Sequence, residues 1–161
     1  MKMILLSTLC GLLFLSGCDD ESSPATPANQ IVIQAVKITV MPFVDRNGIP
    51  WDSDGGPDVY LQVLNHSSSV AFDNREHAVT NVTSGQIPVS FPVMMRFDKS
   101  TDSCYVAVWD RDEPPADPDD LMGSTNTWLS AARLSALGNP ETYEMSDDGM
   151  LLKLELTLLY R

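Results

Sequence analysis

The sequence predicts an all-β chain, an antiparallel eight-strand β-sandwich with one short helix before the final hairpin. Three observations carry that expectation. Apolar and polar residues alternate with a period of two in several short runs. Gly, Pro, Asn and Asp residues suited to turns separate the runs. One segment alone has helical character.

The alternation is clearest near the end of the chain. Leu152, Leu154, Leu156 and Leu158 alternate with Lys153, Glu155 and Thr157, so every second side chain would face a core. Asp148-Gly149 before them is a hairpin-turn signal. Taken from the start, Val36, Ile38 and Val40 alternate with Lys37 and Thr39 and mark the first strand. Residues 59–64 mark the second, and residues 69–72 and 78–82 are weaker candidates. Residues 89–97 form a longer apolar run that stops at a polar turn over 98–102. Residues 105–109 and 125–129 complete the set. The helical segment is 130–137, where Ser130 can cap the first turn and Gly138 can stop the last.

The first residues have a different character. Met1-Lys2 precedes an apolar run over 3–15, shorter than the ~20 residues that a transmembrane helix needs. Residues 1–17 therefore read as a signal peptide. Leu15-Ser16-Gly17-Cys18 resembles a bacterial lipobox, which implies that Cys18 is acylated and becomes the mature N-terminus. Several acyl chains would hold such an anchor, where one binds only marginally. Residues 18–30 are polar, contain Pro24 and Pro27, and are expected to form a flexible tether. Asp19 resembles an inner-membrane retention signal and favours the periplasmic face of that membrane. The run Asp19-Asp20-Glu21 also resembles surface-export signals, so the outer membrane or cell surface is the alternative.

Residues 31–161 suit one domain. Once Cys10 is removed and Cys18 lipidated, Cys104 has no partner for an intramolecular disulfide. It is expected to be a buried small hydrophobe. A net charge of −12 argues against nucleic acid as a partner, which needs a basic face.

The charge is concentrated. Six acids lie between positions 110 and 120, against one base, Arg111. Asp110 and Asp112 leave the end of a strand two residues apart, which points both carboxylates to one side in extended chain. Asp120 closes the loop where the next strand begins. Converging carboxylates repel, and their pKa values rise unless a cation neutralises them. A hard divalent ion with oxygen ligands is the natural resident. Upstream, Asp52, Asp54 and Asp58 surround a Gly-Gly-Pro turn with no base among them and also run into a strand.

Asp52, followed after five residues by Asp58-Val59-Tyr60, resembles the first calcium loop of a C2 domain, with Val59 where the family usually has Pro. Val106-Ala107-Val108-Trp109-Asp110-Arg111-Asp112, followed by Asp119-Asp120-Leu121-Met122-Gly123, resembles that family's third calcium loop. The resemblance extends from about Ile31 to Tyr160 and implies a C2-like architecture. It implies a Ca2+ ion held by Asp52, Asp58, Asp110, Asp112 and Asp120. Asp119 is the chief rival of Asp120 and Asp117 a weaker one; the resemblance prefers Asp120, which directly precedes the apolar-apolar-Gly run. It further implies a non-catalytic module, held at the membrane by its lipid anchor, that binds phospholipid or an envelope protein. Ile49, Trp51, Pro114 and Pro115 would be its membrane-facing loop tips. The family's basic cluster for phosphoinositides is represented over 74–83 by Arg75 alone, so headgroup recognition of that kind is not expected. The alternative is a calcium-independent structural or protein-interaction sandwich whose acids are a solvated face.

Other motifs fit less well. Asp52-Ser53-Asp54 opens like an EF-hand loop, but Pro57 stands where Gly is needed and Val63 where a bidentate Glu is needed. Asp54 is then a solvated loop acid. A glycosidase needs one carboxyl kept protonated across a cleft from an ionised one, whereas these acids cluster at loop tips. His66 and His77 lack ligand spacing and are expected at the surface.

Overall fold

The computed structural model describes residues 30–53, 55–97, 103–112, 118–147, 149 and 151–161. Its strands are β1 (Ile31–Val40), β2 (Val59–Asn65), β3 (Val70–Asp73), β4 (Val89–Phe97), β5 (Ser103–Asp110), β6 (Asp120–Ser124), β7 (Leu129–Ser130), β8 (Thr142–Ser146) and β9 (Lys153–Tyr160). One helix, α1 (Ala131–Ala136), lies between β7 and β8. One sheet has the order β4-β1-β9-β8 and the other β3-β2-β5-β6, with β7 also pairing β5. All pairs are antiparallel. The predicted all-β sandwich with a short helix before the last hairpin is therefore the fold observed. Nine strands stand among the described residues where eight were expected, and they are not all the same segments.

Period-two patterning builds the core. Leu152, Leu154, Leu156 and Leu158 are all buried, and each such side chain contributes about 1.5–3 kcal/mol of apolar transfer. In β1 the inward set changes parity, from Ile31 and Ile33 to Val36 and Ile38. A register shift between Ile33 and Ala35 accounts for it, because one extra residue moves every following side chain to the other face. A second shift between Ile38 and Val40 leaves Val40 exposed, where simple alternation puts it inside. Ser130 caps α1 as predicted: its Oγ accepts from the Arg133 N–H at 3.2 Å. Gly138 follows the helix with φ +78°, a left-handed turn that costs glycine no Cβ clash. Cys104 is buried, which pushes its thiol up to about 12.

Two expected strands are corrected. Residues 78–82 form no strand; they touch the sheet through one bridge, Val79 to Val59, and turn away at Asn81, whose φ is +52°. Residues 125–129 are not one strand either. The pairing belongs to β6, and after it Thr125 bonds Val106 while the Asn126 N–H reaches the Ser146 carbonyl of the other sheet at 3.2 Å. The chain breaks away from β5 there and rejoins it at Leu129, opposite Cys104, as β7, so 125–129 is not one continuous ladder. β8, not singled out from the sequence, pairs with β9 as the hairpin's other arm. Asp148 of the predicted turn, and the turn over 98–102, lie outside the described residues.

The registers set which connections share an end. Val40 pairs with Lys153, Ile38 with Val89, and Val59 with Asp110. The described residues of the connections over 41–58, 74–88, 111–119 and 147–152 therefore crowd one end of the sandwich. Ile31 pairs with Tyr160 at the opposite end, where Gln30 and Arg161 exchange backbone hydrogen bonds of 3.1 and 2.9 Å.

Candidate functional site

Asp110 is the centre of the crowded end. Cys104, Val106 and Val108 face the core along β5, and one further step of the same period puts Asp110 on that face. Its exposure is 0 %. The Asp58 N–H donates to Oδ1 at 2.6 Å, while Oδ2 is buried with no hydrogen-bond partner. Burial pushes its pKa up to about 6, and the charges of Asp52, Asp112 and Asp58 add to the rise. The two acidic stretches thus meet around one desolvated carboxylate.

Asp58 sits at the mouth of β2. Its Oδ1 accepts from the Asn81 N–H at 2.8 Å, and its Oδ2 lies 3.3 Å from Arg111 Nη2. The Arg111 N–H also donates to the Asp58 carbonyl at 2.8 Å, continuing the β2–β5 ladder past the strand end. Close packing holds this loop down: a Cβ on Gly56 would lie 2.0 Å from the Val82 carbonyl oxygen.

Asp119 is already engaged by protein donors. Its carboxylate takes Arg75 Nε at 2.5 Å and Nη2 at 2.7 Å, the Tyr60 hydroxyl at 2.8 Å and the Asp112 N–H at 3.2 Å. Arg75 Nη2 also donates to the Asp112 carbonyl at 3.2 Å. The Arg75 guanidinium, with the help of the other donors, holds Asp119 down at about 2. Tyr60 stacks on Trp109 with ring centroids 6.3 Å apart, which aims its hydroxyl at Asp119. This clasp ties the β5–β6 connection to the turn after β3. In the sequence Arg75 reads only as the remnant of a basic cluster, and its role is missed because nothing local relates position 75 to position 119.

Asp120 pairs with Asp110 across the ladder, yet its side chain is exposed. Directly opposed residues of an antiparallel ladder point to one face, so Asp120 leaves the sheet on the side of Asp110 but stands in solvent. Asp54, Pro114, Pro115, Asp117 and Cys18 lie outside the described residues. Among the described residues, no group of three or more His, Cys, Asp or Glu side chains stands at metal-holding geometry. The donor chemistry around Asp110 suits a hard divalent cation, but the carboxylates are spread and Asp58 is engaged by Arg111.

Of the described loop tips, Ile49 is 60 % exposed. It rides on a turn closed by Asp45, whose Oδ1 accepts the Asn47 and Ile49 N–H groups at 2.8 Å each. The backbone donor at Ile49 leads the set that lowers the Asp45 pKa. Trp51 corrects the expectation made for it. It packs against the core, and its Nε1 donates to the Pro42 carbonyl at 3.0 Å, so it turns inward instead of standing at a tip.

No family model matches the chain, and no curated protein matches it in sequence. Similar solved structures exist. Human GIVD cytosolic phospholipase A2, in complex with methyl γ-linolenyl fluorophosphonate, aligns with TM-score 0.50 and 11% identity over 81% of this chain. The chain spans only 16% of that phospholipase, and the likeness is one of fold alone. One C2 domain of plant extended synaptotagmin 1 aligns with TM-score 0.48 and 16% identity, over 84% of this chain and 96% of that one. A C2 domain protein from Ramazzottius varieornatus aligns with TM-score 0.39 and 12% identity, over 81% and 92% respectively.

Proposed function

We propose that this C2-like sandwich is a non-catalytic binding module whose acidic end takes up calcium. The observation that carries the reading is Asp110: a fully buried carboxylate with one orphaned oxygen, within electrostatic reach of Asp52, Asp58 and Asp112. Such an oxygen is costly to keep ionised unless a cation arrives. Asp110, Asp112, Asp58 and Asp52 would hold the ion, with Asp120 swinging in from β6. The ion would cancel their repulsion and tie the two loops together. Because the ligands are not gathered beforehand, affinity is expected on the order of 10⁻⁴ to 10⁻³ M. Magnesium, which demands a tight octahedron, should bind worse.

The test is the melting temperature of the purified protein in chelator, in millimolar calcium and in millimolar magnesium, a concentration set by that affinity range. Calcium should raise it and magnesium should not. An equal response to both ions would leave the calcium-independent reading, which the guanidinium partners of Asp58 and Asp119 favour.

The anchor belongs to the same proposal. Acylated Cys18 would tether the domain to an envelope membrane through residues ending at Gln30, and Asp19 favours the inner membrane's periplasmic face. β1 has 10 residues, a length of roughly 33 Å, and its first residue lies at the end opposite the acids. A tether of about twelve residues, reaching roughly 40 Å when extended, lets that end meet either an envelope protein or the bilayer. Mass spectrometry of the mature N-terminus should find an acylated Cys18, and an unmodified terminus at another residue would remove the anchor.

A further inference from the structure

We propose that Arg111 is a built-in counter-ion that competes with the incoming cation for Asp58, and so sets the affinity of the acidic end. This rests on the calcium reading above and adds to it a residue that opposes binding.

Geometry points to Arg111 and not to the other cations of this end. Arg111 lies in sequence between Asp110 and Asp112, and its backbone N–H is bonded to the Asp58 carbonyl at 2.8 Å. That ladder bond delivers the side chain back onto the same residue, where Nη2 stands 3.3 Å from Oδ2. Both side chains are mostly buried, at 20 % and 17 % exposure, so water screens the pair only in part. The carboxylate that Arg111 occupies is one of those whose charge bears on Asp110. A divalent ion seated against Asp110 would draw Asp58 away from the guanidinium, and Arg111 would have to swing out to solvent.

Arg75 is the contrast. Its guanidinium forks onto Asp119 and reaches the Asp112 carbonyl, and neither Asp58 nor Asp110 is among these partners. It holds the loop that carries Asp112 and occupies no oxygen that the ion needs. The two arginines therefore act with opposite sign: Arg111 opposes binding, and Arg75 supports it by positioning.

The experiment compares calcium titrations of the wild-type protein with Arg111→Gln, Arg111→Lys, Arg75→Gln and Arg46→Gln. It also records their melting temperatures in chelator. Arg46 is an exposed base of the same loop end and controls for net charge. Arg111→Gln should bind calcium about fivefold tighter, ~1 kcal/mol, the upper range for an incompletely buried ion pair. Its melting temperature in chelator should fall, because the acids lose their internal counter-charge. Arg111→Lys keeps the charge without the fork and should tighten binding by about twofold; it also reads the effect if Arg111→Gln does not fold. Arg75→Gln should weaken binding, and Arg46→Gln should change it by less than about twofold.

If wild type binds calcium and neither Arg111 variant binds tighter, the counter-ion role is overturned and the calcium reading stands. Equal tightening by Arg46→Gln also overturns it, since bulk charge then explains the gain. If neither wild type nor Arg111→Gln responds to calcium beyond magnesium, the calcium reading fails and this inference falls with it.

Discussion

Asp110 and Asp119 stand at the two ends of one connection, and their surroundings drive them in opposite directions. Asp110 is inside, holds one backbone donor, and keeps an oxygen with nothing to bond. Asp119 is tied by an arginine fork, a tyrosine and a backbone N–H. The first has its pKa pushed up to about 6 and the second down to about 2. Two aspartates nine positions apart in sequence thus divide the work. One is a charge looking for a cation, and the other has already found one. The lesson is that an acidic loop is not uniform: solvation and partners, not spacing, decide which carboxylate is available.

The largest expected effect strikes the first of these. In chelator above pH 6, Asp110→Asn should stabilise the protein by roughly 1–3 kcal/mol, because it removes a buried, half-satisfied charge. The sign follows from the raised folded-state pKa. In wild type this group's contribution is fully present below the unfolded value near 3.8 and is lost as pH rises through about 6. The gain from Asp110→Asn should therefore fade as pH drops from about 6 towards 4. Denaturant melts across that range check it, and a variant less stable than wild type at pH 7 would contradict the picture. The same variant should lose the calcium response.

Gly56→Ala attacks the meeting of the two loops. The new Cβ would need the space of the Val82 carbonyl oxygen, so the first loop must lift, at a cost of about 1–3 kcal/mol. Asp58 would move with it, and the calcium-induced rise in melting temperature should shrink. Full retention of both would mean that the loop is not held where it acts.

Asp119→Ala should cost less, about 1–2 kcal/mol after allowance for screening, since Arg75 stays partly exposed. Here the pKa is depressed, so the stabilisation is present above the unfolded value near 3.8 and is lost as pH falls through about 2. The two aspartates should thus give difference curves of opposite sign. Curves of the same sign would break the comparison.

The smallest effect is expected at the surface. Ile49→Ser should change stability by no more than about 0.5 kcal/mol, as an exposed turn residue. Its value lies in co-sedimentation with phospholipid vesicles. Calcium-driven binding that Ile49→Ser abolishes would assign the partner as lipid; binding that calcium leaves unchanged favours an envelope protein.

Local pattern alone determined much of this molecule. Alternating leucines in β9, the capped helix after Ser130 and the acidic stretches beside strand ends were legible because each depends on neighbours within a few residues. Asp110 was legible as a loop acid, and the period of Cys104, Val106 and Val108 would have placed it inside had it been carried one step further. What the tertiary structure decided is pairing over distance. The β1 bulges, the break in the ladder at Thr125, the inward turn of Trp51, and the capture of Asp119 by Arg75 and of Asp58 by Arg111 join positions that no local periodicity relates. A carboxylate's charge state depends on burial and on which cation reaches it, and both arise only when the sheets close and bring the loops to one end.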